Sequence, residues 1–110
     1  MARYLDKPEE WARLAASLAK EPVIGLDTEF DKDTTRVTVW SVAAFHPIRP
    51  IHPRGYRVAI GYVLPAAALE TFRGLLESES TTKVLHNAPA DTRSIYDTAG
   101  CAGGSGVFIA

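Results

Sequence analysis

At 110 residues the chain is the size of one modest domain, with room for one hydrophobic core and one site. A make-up of 46% hydrophobic, 23% charged and 9% aromatic residues excludes a low-complexity chain, and a formal net charge of −1 excludes a global basic field for holding a polyanion. The single cysteine, Cys101, excludes an internal disulfide and a cysteine-based zinc site, no apolar run approaches the roughly 20 residues of a membrane span, and Met1 to Lys7 lack a secretory signal's apolar stretch, so a reducing cytoplasmic location is expected.

From Asp6 to Lys20, Trp11, Leu14, Ala15, Leu18 and Ala19 recur at the spacing of a one-faced helix, with Asp6 and Glu9 as an expected capping box and Pro8 in the first turn. The run Val23-Ile24-Gly25-Leu26 lacks alternation, as expected of a strand covered on both faces, and it ends in a cluster of acids. Val37 to Phe45 reads as a second strand, with Val37, Val39, Ser41, Ala43 and Phe45 on one side and Trp40 and Val42 on the other. Arg57 to Leu64 reads as a third, joined to the second by a proline-rich hairpin loop from His46 to Gly55.

Pro65 opens a predicted helix that carries Leu69, Phe72 and Leu76 on one face. Lys83-Val84-Leu85 is a short strand expected beside the first, Asn87 is the expected cap of the next helix, and Gly100 ends that helix near Ala99. Val107-Phe108-Ile109 begins a further strand. The sum is an α/β chain with a mixed five-stranded sheet, an antiparallel hairpin plus parallel strands flanked by helices, in a single domain over 1–110.

Asp27 and Glu29 lie two positions apart in extended chain, so both carboxylates project to one face and repel each other unless a cation lies between them. Hard oxygen ligands of this kind suit magnesium or manganese. A D-x-E triplet also occurs by chance, so the pair alone is weak. Asp91 strengthens it: i, i+4 spacing from Asn87 puts both at the start of one helix, and ligands gather at the carboxyl ends of strands in open α/β sheets. A third carboxylate is therefore expected to face the pair, although a favourable interaction with the helix N-terminus accounts for Asp91 equally well. His86 is expected to be a hydrogen-bonded structural histidine in preference to a ligand or acid/base group.

The stretch Val23-Ile24-Gly25-Leu26-Asp27-Thr28-Glu29-Phe30 resembles the first motif of the DEDD, or DnaQ-like, 3′–5′ exonucleases, and Lys83 to Asp91 resembles their second, H-N-x-x-x-D. The resemblance covers most of the chain and is greatest to the proofreading exonuclease domains of family A, phage-type DNA polymerases, with ribonuclease D-like enzymes as near relatives. It implies a ribonuclease H-like fold and two divalent cations, Mg²⁺ or Mn²⁺, about 3.5–4 Å apart on the scissile phosphate. It further implies that Asp27 bridges both ions, Glu29 holds the nucleophile-side ion and Asp91 supports the second through water. Thr28 and Phe30 are the implied contacts to the terminal nucleotide, with core packing the other reading of Phe30. Asn87 is a substrate contact by resemblance and a helix cap by its own position. The implied partners are a single-stranded 3′ end, DNA in preference to RNA, and a fused or associated DNA polymerase domain.

The family's third motif, a Tyr or His followed four residues later by an Asp, has no counterpart up to Ala110, and Tyr96-Asp97 does not form it. The C-terminal helices of the fold are therefore expected to be missing and the polypeptide to be inactive or nearly so alone. The competing readings are a catalytically incomplete module that holds nucleic acid or a polymerase, and a structural remnant. Asp31 and Asp33 are expected in solvent, His46 and His52 as ordinary loop residues in preference to a transition-metal pair, and Arg49, Arg54 and Arg57 around a solvated hairpin tip in preference to phosphate contacts.

Overall fold

The computed structural model of the chain describes residues 2–45, 59–86, 88–100 and 107–109. Helix α1, Pro8–Leu18, buries Trp11 and Leu18, as the apolar spacing requires. Its start departs from the expected capping box: Lys7, not Asp6, is the N-cap residue, no side chain caps the helix, and Pro8 supplies the preset backbone angle of the first turn. The Trp11 indole N–H donates to the Leu5 carbonyl at 2.9 Å and ties the helix to the chain before it. That chain holds an additional short strand, β1, Ala2–Tyr4, too brief for any period to reveal.

Strands β2, Val23–Phe30, β3, Val37–Phe45, and β4, Ala59–Pro65, follow. The expected hairpin loop and its His and Arg residues lie outside the described residues, as do Asn87 and Cys101. The helix expected after Pro65 is split into a 3₁₀ turn, Ala66–Leu69, and α2, Arg73–Leu76, yet Leu69, Phe72 and Leu76 are all buried. Strand β5, Thr82–Val84, helix α3, Ala88–Ala99, and strand β6, Val107–Ile109, complete the chain. Gly100 ends α3 as expected: its φ of +69° suits glycine, and its N–H donates to the Tyr96 carbonyl at 2.7 Å. The Arg73 guanidinium donates to the Ala99 and Gly100 carbonyls, which satisfies acceptors at the helix end.

The sheet order is β1-β4-β3-β2-β5-β6. β2–β3 and β3–β4 are antiparallel, while β1–β4, β2–β5 and β5–β6 are parallel. This is the expected mixed sheet, with β1 added at the edge beyond β4 and β5 beside β2. One face carries the core: Ile24 and Leu26 of β2, Trp40 and Val42 of β3 and Leu64 of β4 pack in one cluster with Trp11, Phe72 and Ile95. Trp40 and Phe72 meet edge to face, ring centroids 5.0 Å apart, and the Trp40 indole N–H donates to the Pro65 carbonyl.

Two expectations for the strands are corrected. β2 is covered on one face only: its residues alternate in burial, and Val23 on the open side is 44% exposed. The strand also does not stop at the acids but runs through them. In β3, Val37 packs on the core side with Trp40 and not with Val39 and Ser41. The cause is a β-bulge: Glu29 pairs with Val39 and Phe30 with Val37, so Thr38 is an extra residue that reverses the alternation.

Candidate functional site

Asp27, Thr28 and Glu29 occupy consecutive positions of β2, so the pleat sends the two carboxylates to the open face and Thr28 to the core face. Asp27 and Glu29 are exposed, while Thr28 is 6% exposed. The two acids line a hollow of about 200 Å³ whose other walls are Val39, Trp40, Ser41 and Val63. A second hollow of about 310 Å³ shares Asp27 and runs over the small residues Gly25, Ala43 and Gly61. Small side chains along these neighbouring strands leave the sheet surface low beside the acids.

Among the described residues neither Asp27 nor Glu29 takes part in a salt bridge; the ion pairs are Arg3–Glu10, Arg73–Glu70, Arg73–Glu77 and Arg93–Asp97. Two carboxylates side by side with no protein cation to offset them form a donor set suited to a hard divalent ion.

Asp91, on the first turn of α3, is 5% exposed. Its Oδ1 accepts a hydrogen bond from the Thr28 hydroxyl. Ser94, fully buried, donates to the Asp91 carbonyl at 2.9 Å and stands 3.3 Å from the Thr28 oxygen. Parallel pairing between β5 and β2 runs from Val23 to Gly25, so α3, which follows β5, comes to lie against the later part of β2. The structure thus joins Asp91 to the residue between the two acids but on the other side of the strand. Among the described residues no group of three His, Cys, Asp or Glu side chains is placed to hold a metal ion. The expectation that Asp91 faces the pair is corrected to this extent, because Asp91 follows Thr28 and not its neighbours.

Thr28 itself is turned away from the face on which a nucleotide at Asp27 and Glu29 would lie, which removes its side chain from direct contact there. Phe30 is half-buried at the end of β2 and paired with Val37. His86 is exposed between β5 and α3. Asp31 has a defined local role: its Oδ1 accepts the N–H groups of Asp33 at 2.8 Å and Thr34 at 3.1 Å, an Asx-type turn after β2. Ser94 was not among the candidate residues, although its i+3 spacing from Asp91 was a readable signal.

A mixed sheet with helices packed on its core face and a pair of uncompensated carboxylates on the central strand defines the ribonuclease H-like class of fold. The chain belongs to the 3′–5′ exonuclease family, whose model matches residues 2–104. Solved structures share the fold. The catalytic core of RRP6 from Trypanosoma brucei is 16% identical with a TM-score of 0.66, over 98% of this chain and 28% of that one. Escherichia coli RNase D is 18% identical with a TM-score of 0.64, over 96% and 27%. The EXD2 exonuclease domain is 17% identical with a TM-score of 0.64, over 97% and 55%. The chain therefore spans between about a quarter and about half of the length of these structures. No curated protein sequence matches it.

Proposed function

We propose that the chain is a metal-dependent 3′–5′ exonuclease domain of the proofreading type, which acts on the 3′ end of DNA and is coupled to a DNA polymerase. The observation that carries this reading is the uncompensated Asp27 and Glu29 pair on the open face of β2, with Asp91 tied to the intervening Thr28. The Asp27 and Glu29 pair fits Mg²⁺ or Mn²⁺ as ligands, while Asp91 lies across the strand on Thr28 and is not placed with them. Structures of the EXD2 domain have been soaked in Mg with GMP and in Mn with GMP, which supports the same ions here. Bound there, divalent cations supply positive charge against the phosphate and lower the pKa of an attacking water.

The chain's own part is to present the two carboxylates on a rigid central strand and to keep the sheet surface beside them low for a single strand to approach. The near-neutral net charge supports a site that grips phosphate through ions and not through a basic field. The choice of DNA rests on the resemblance of the two motifs to those of family A DNA polymerase exonuclease domains, which the match to the 3′–5′ exonuclease family model supports. Escherichia coli RNase D is an exoribonuclease involved in structured RNA processing, so RNA is the substrate to test beside DNA. Among the described residues no helix is long and apolar enough to cross a membrane.

The position of Asp91 across the strand from the acid pair favours a second reading, a module that binds the 3′ end without cutting it. Incubation of the purified 110-residue chain with 3′-labelled single-stranded DNA and RNA, with and without Mg²⁺, separates the two. The exonuclease reading predicts label release that needs Mg²⁺, favours DNA over RNA and is lost in Asp27→Ala, whereas the second predicts Mg²⁺-dependent binding, also lost in Asp27→Ala, with release near background. Binding indifferent to Mg²⁺ and to Asp27→Ala overturns both readings. Robust release of label that depends on Asp27 removes the second reading, and Mg²⁺-dependent binding without release removes the first.

A further inference from the structure

We propose that the outer edge of β1 and the hollow beside α1 form a docking surface for an extended, acidic segment of a partner protein, which adds a strand to the sheet and sets a carboxylate beside Arg13.

The edge follows from the ladder. β1 ends the sheet order on its side and pairs with β4. The Leu5 N–H donates to the Val63 carbonyl at 2.9 Å, and Tyr4 is the residue in register with Val63. Main-chain groups alternate in direction along a strand, so those of Tyr4 point away from β4, where no described strand lies to receive them. An edge of this kind is a template for one more strand.

Side chains alternate across the same short strand. Tyr4 stands on the open face and is 56% exposed, while Arg3 is in register with Tyr62 on the core face. There α1 presents Glu10, Arg13, Leu14 and Ser17, at i, i+3, i+4 and i+7, so that one helix stripe and the sheet edge enclose a hollow of about 400 Å³. Leu5 and Leu14 give it an apolar lining. The hollow lies on the opposite side of the sheet from Asp27 and Glu29, so it is separate from the acid pair.

Charge selects the occupant. The Arg3 guanidinium donates to the Glu10 carboxylate at 3.3 Å, while Arg13 makes no ion pair among the described residues. Two guanidiniums and one carboxylate leave a single positive charge, which one carboxylate of a ligand balances in the geometry arginine favours. A nucleic-acid strand also carries single charges, but it cannot continue the main-chain ladder at Tyr4. Alternation then defines the segment: an acid beside Arg3 and Arg13, flanked by apolar residues that pass to the other face and cover Tyr4.

The test is titration of the ¹⁵N-labelled 110-residue chain with the capped peptide Thr-Val-Asp-Val-Thr, in EDTA so that no divalent cation takes part. Expected are shifts of the amides of Arg3 to Leu5 and of Glu10 to Ser17, with slowed hydrogen exchange of the Tyr4 N–H. Replacement of the peptide's Asp by Asn is expected to weaken binding about tenfold, the scale of one charge-assisted pair, and Arg13→Gln, at an exposed position of α1, to do the same. Both changes together are expected to weaken it no more than either alone, since they remove one interaction. Absence of shifts, shifts centred away from β1 and α1, equal binding of the Asp and Asn peptides, or additive losses overturn the proposal. So does a short oligothymidylate that shifts the same amides more strongly than the peptide, which makes the hollow a nucleotide site. Concentration-dependent shifts of these amides without peptide overturn it too, in favour of a second copy of the chain at the edge.

Discussion

The Thr35 hydroxyl, in the turn that follows β2, donates to the carboxylate of Asp97 near the end of α3. Thr35 holds a φ of +58°, a left-handed conformation that is uncomfortable for a β-branched residue. Neighbouring bonds support it: Arg36 donates to the Asp97 carbonyl at 3.2 Å, and the Thr98 hydroxyl accepts the Val37 N–H at 2.6 Å. The turn beyond the acidic strand is thus pinned to the helix that carries Asp91.

The Thr35 hydroxyl, and then Arg93 and Arg36, hold the Asp97 carboxyl below its ordinary range. A lowered carboxyl stabilises the fold above about pH 4 and loses that contribution as the pH falls through its folded-state value. Asp97→Asn is therefore expected to lower stability at pH 7 and to lessen the loss between about pH 5 and pH 2. Urea unfolding of both proteins across that range checks it; parallel pH profiles would show that the carboxylate contributes nothing.

Lys83 is a fully buried lysine in β5, its ammonium donating to the Thr81 carbonyl at 2.8 Å and to that of Ser78. Burial pushes its pKa down. The unfolded chain then binds more protons between the folded value and about pH 10.4, so stability contributed by this residue rises with pH through that window. Lys83→Met, which fills similar space without the charge, is expected to flatten the rise. Chemical denaturation at pH 7 and at pH 10 tests this, and an identical alkaline rise in the variant would contradict it.

Gly100 stops α3 with a left-handed residue, and a Cβ added there meets the Arg73 guanidinium only at 3.9 Å. The cost of Gly100→Ala is then conformational and not steric, about 1 kcal/mol or somewhat more. Thermal unfolding of this variant beside Gly74→Ala, where an added Cβ meets nothing within 4 Å, should show the loss at position 100 alone.

Much of this architecture is legible in the sequence where side chains declare a period. Trp11 and Leu18 locate α1, Leu69, Phe72 and Leu76 locate the buried face after Pro65, and Gly100 marks the end of α3. What escapes is set by pairing. The bulge at Thr38 reverses the side of Val37, which no local spacing reveals, and β1 is ordered by its parallel partner β4 and not by its own three residues. For the site, alternation alone places Asp27 and Glu29 on one face and therefore Thr28 on the other. That Asp91 joins Thr28 depends on where β5 leaves β2, a long-range fact outside the reach of either motif.

The reading of Asp27 and Glu29 as a divalent-cation site is tested most directly by paramagnetic broadening of amide resonances in a ¹⁵N-labelled chain titrated with Mn²⁺. Early, selective loss of the signals around Asp27 to Phe30 is expected, with no such loss in the Asp27→Ala, Glu29→Ala double variant. Broadening centred elsewhere, or spread evenly over the exposed acids and unchanged in that variant, would contradict it.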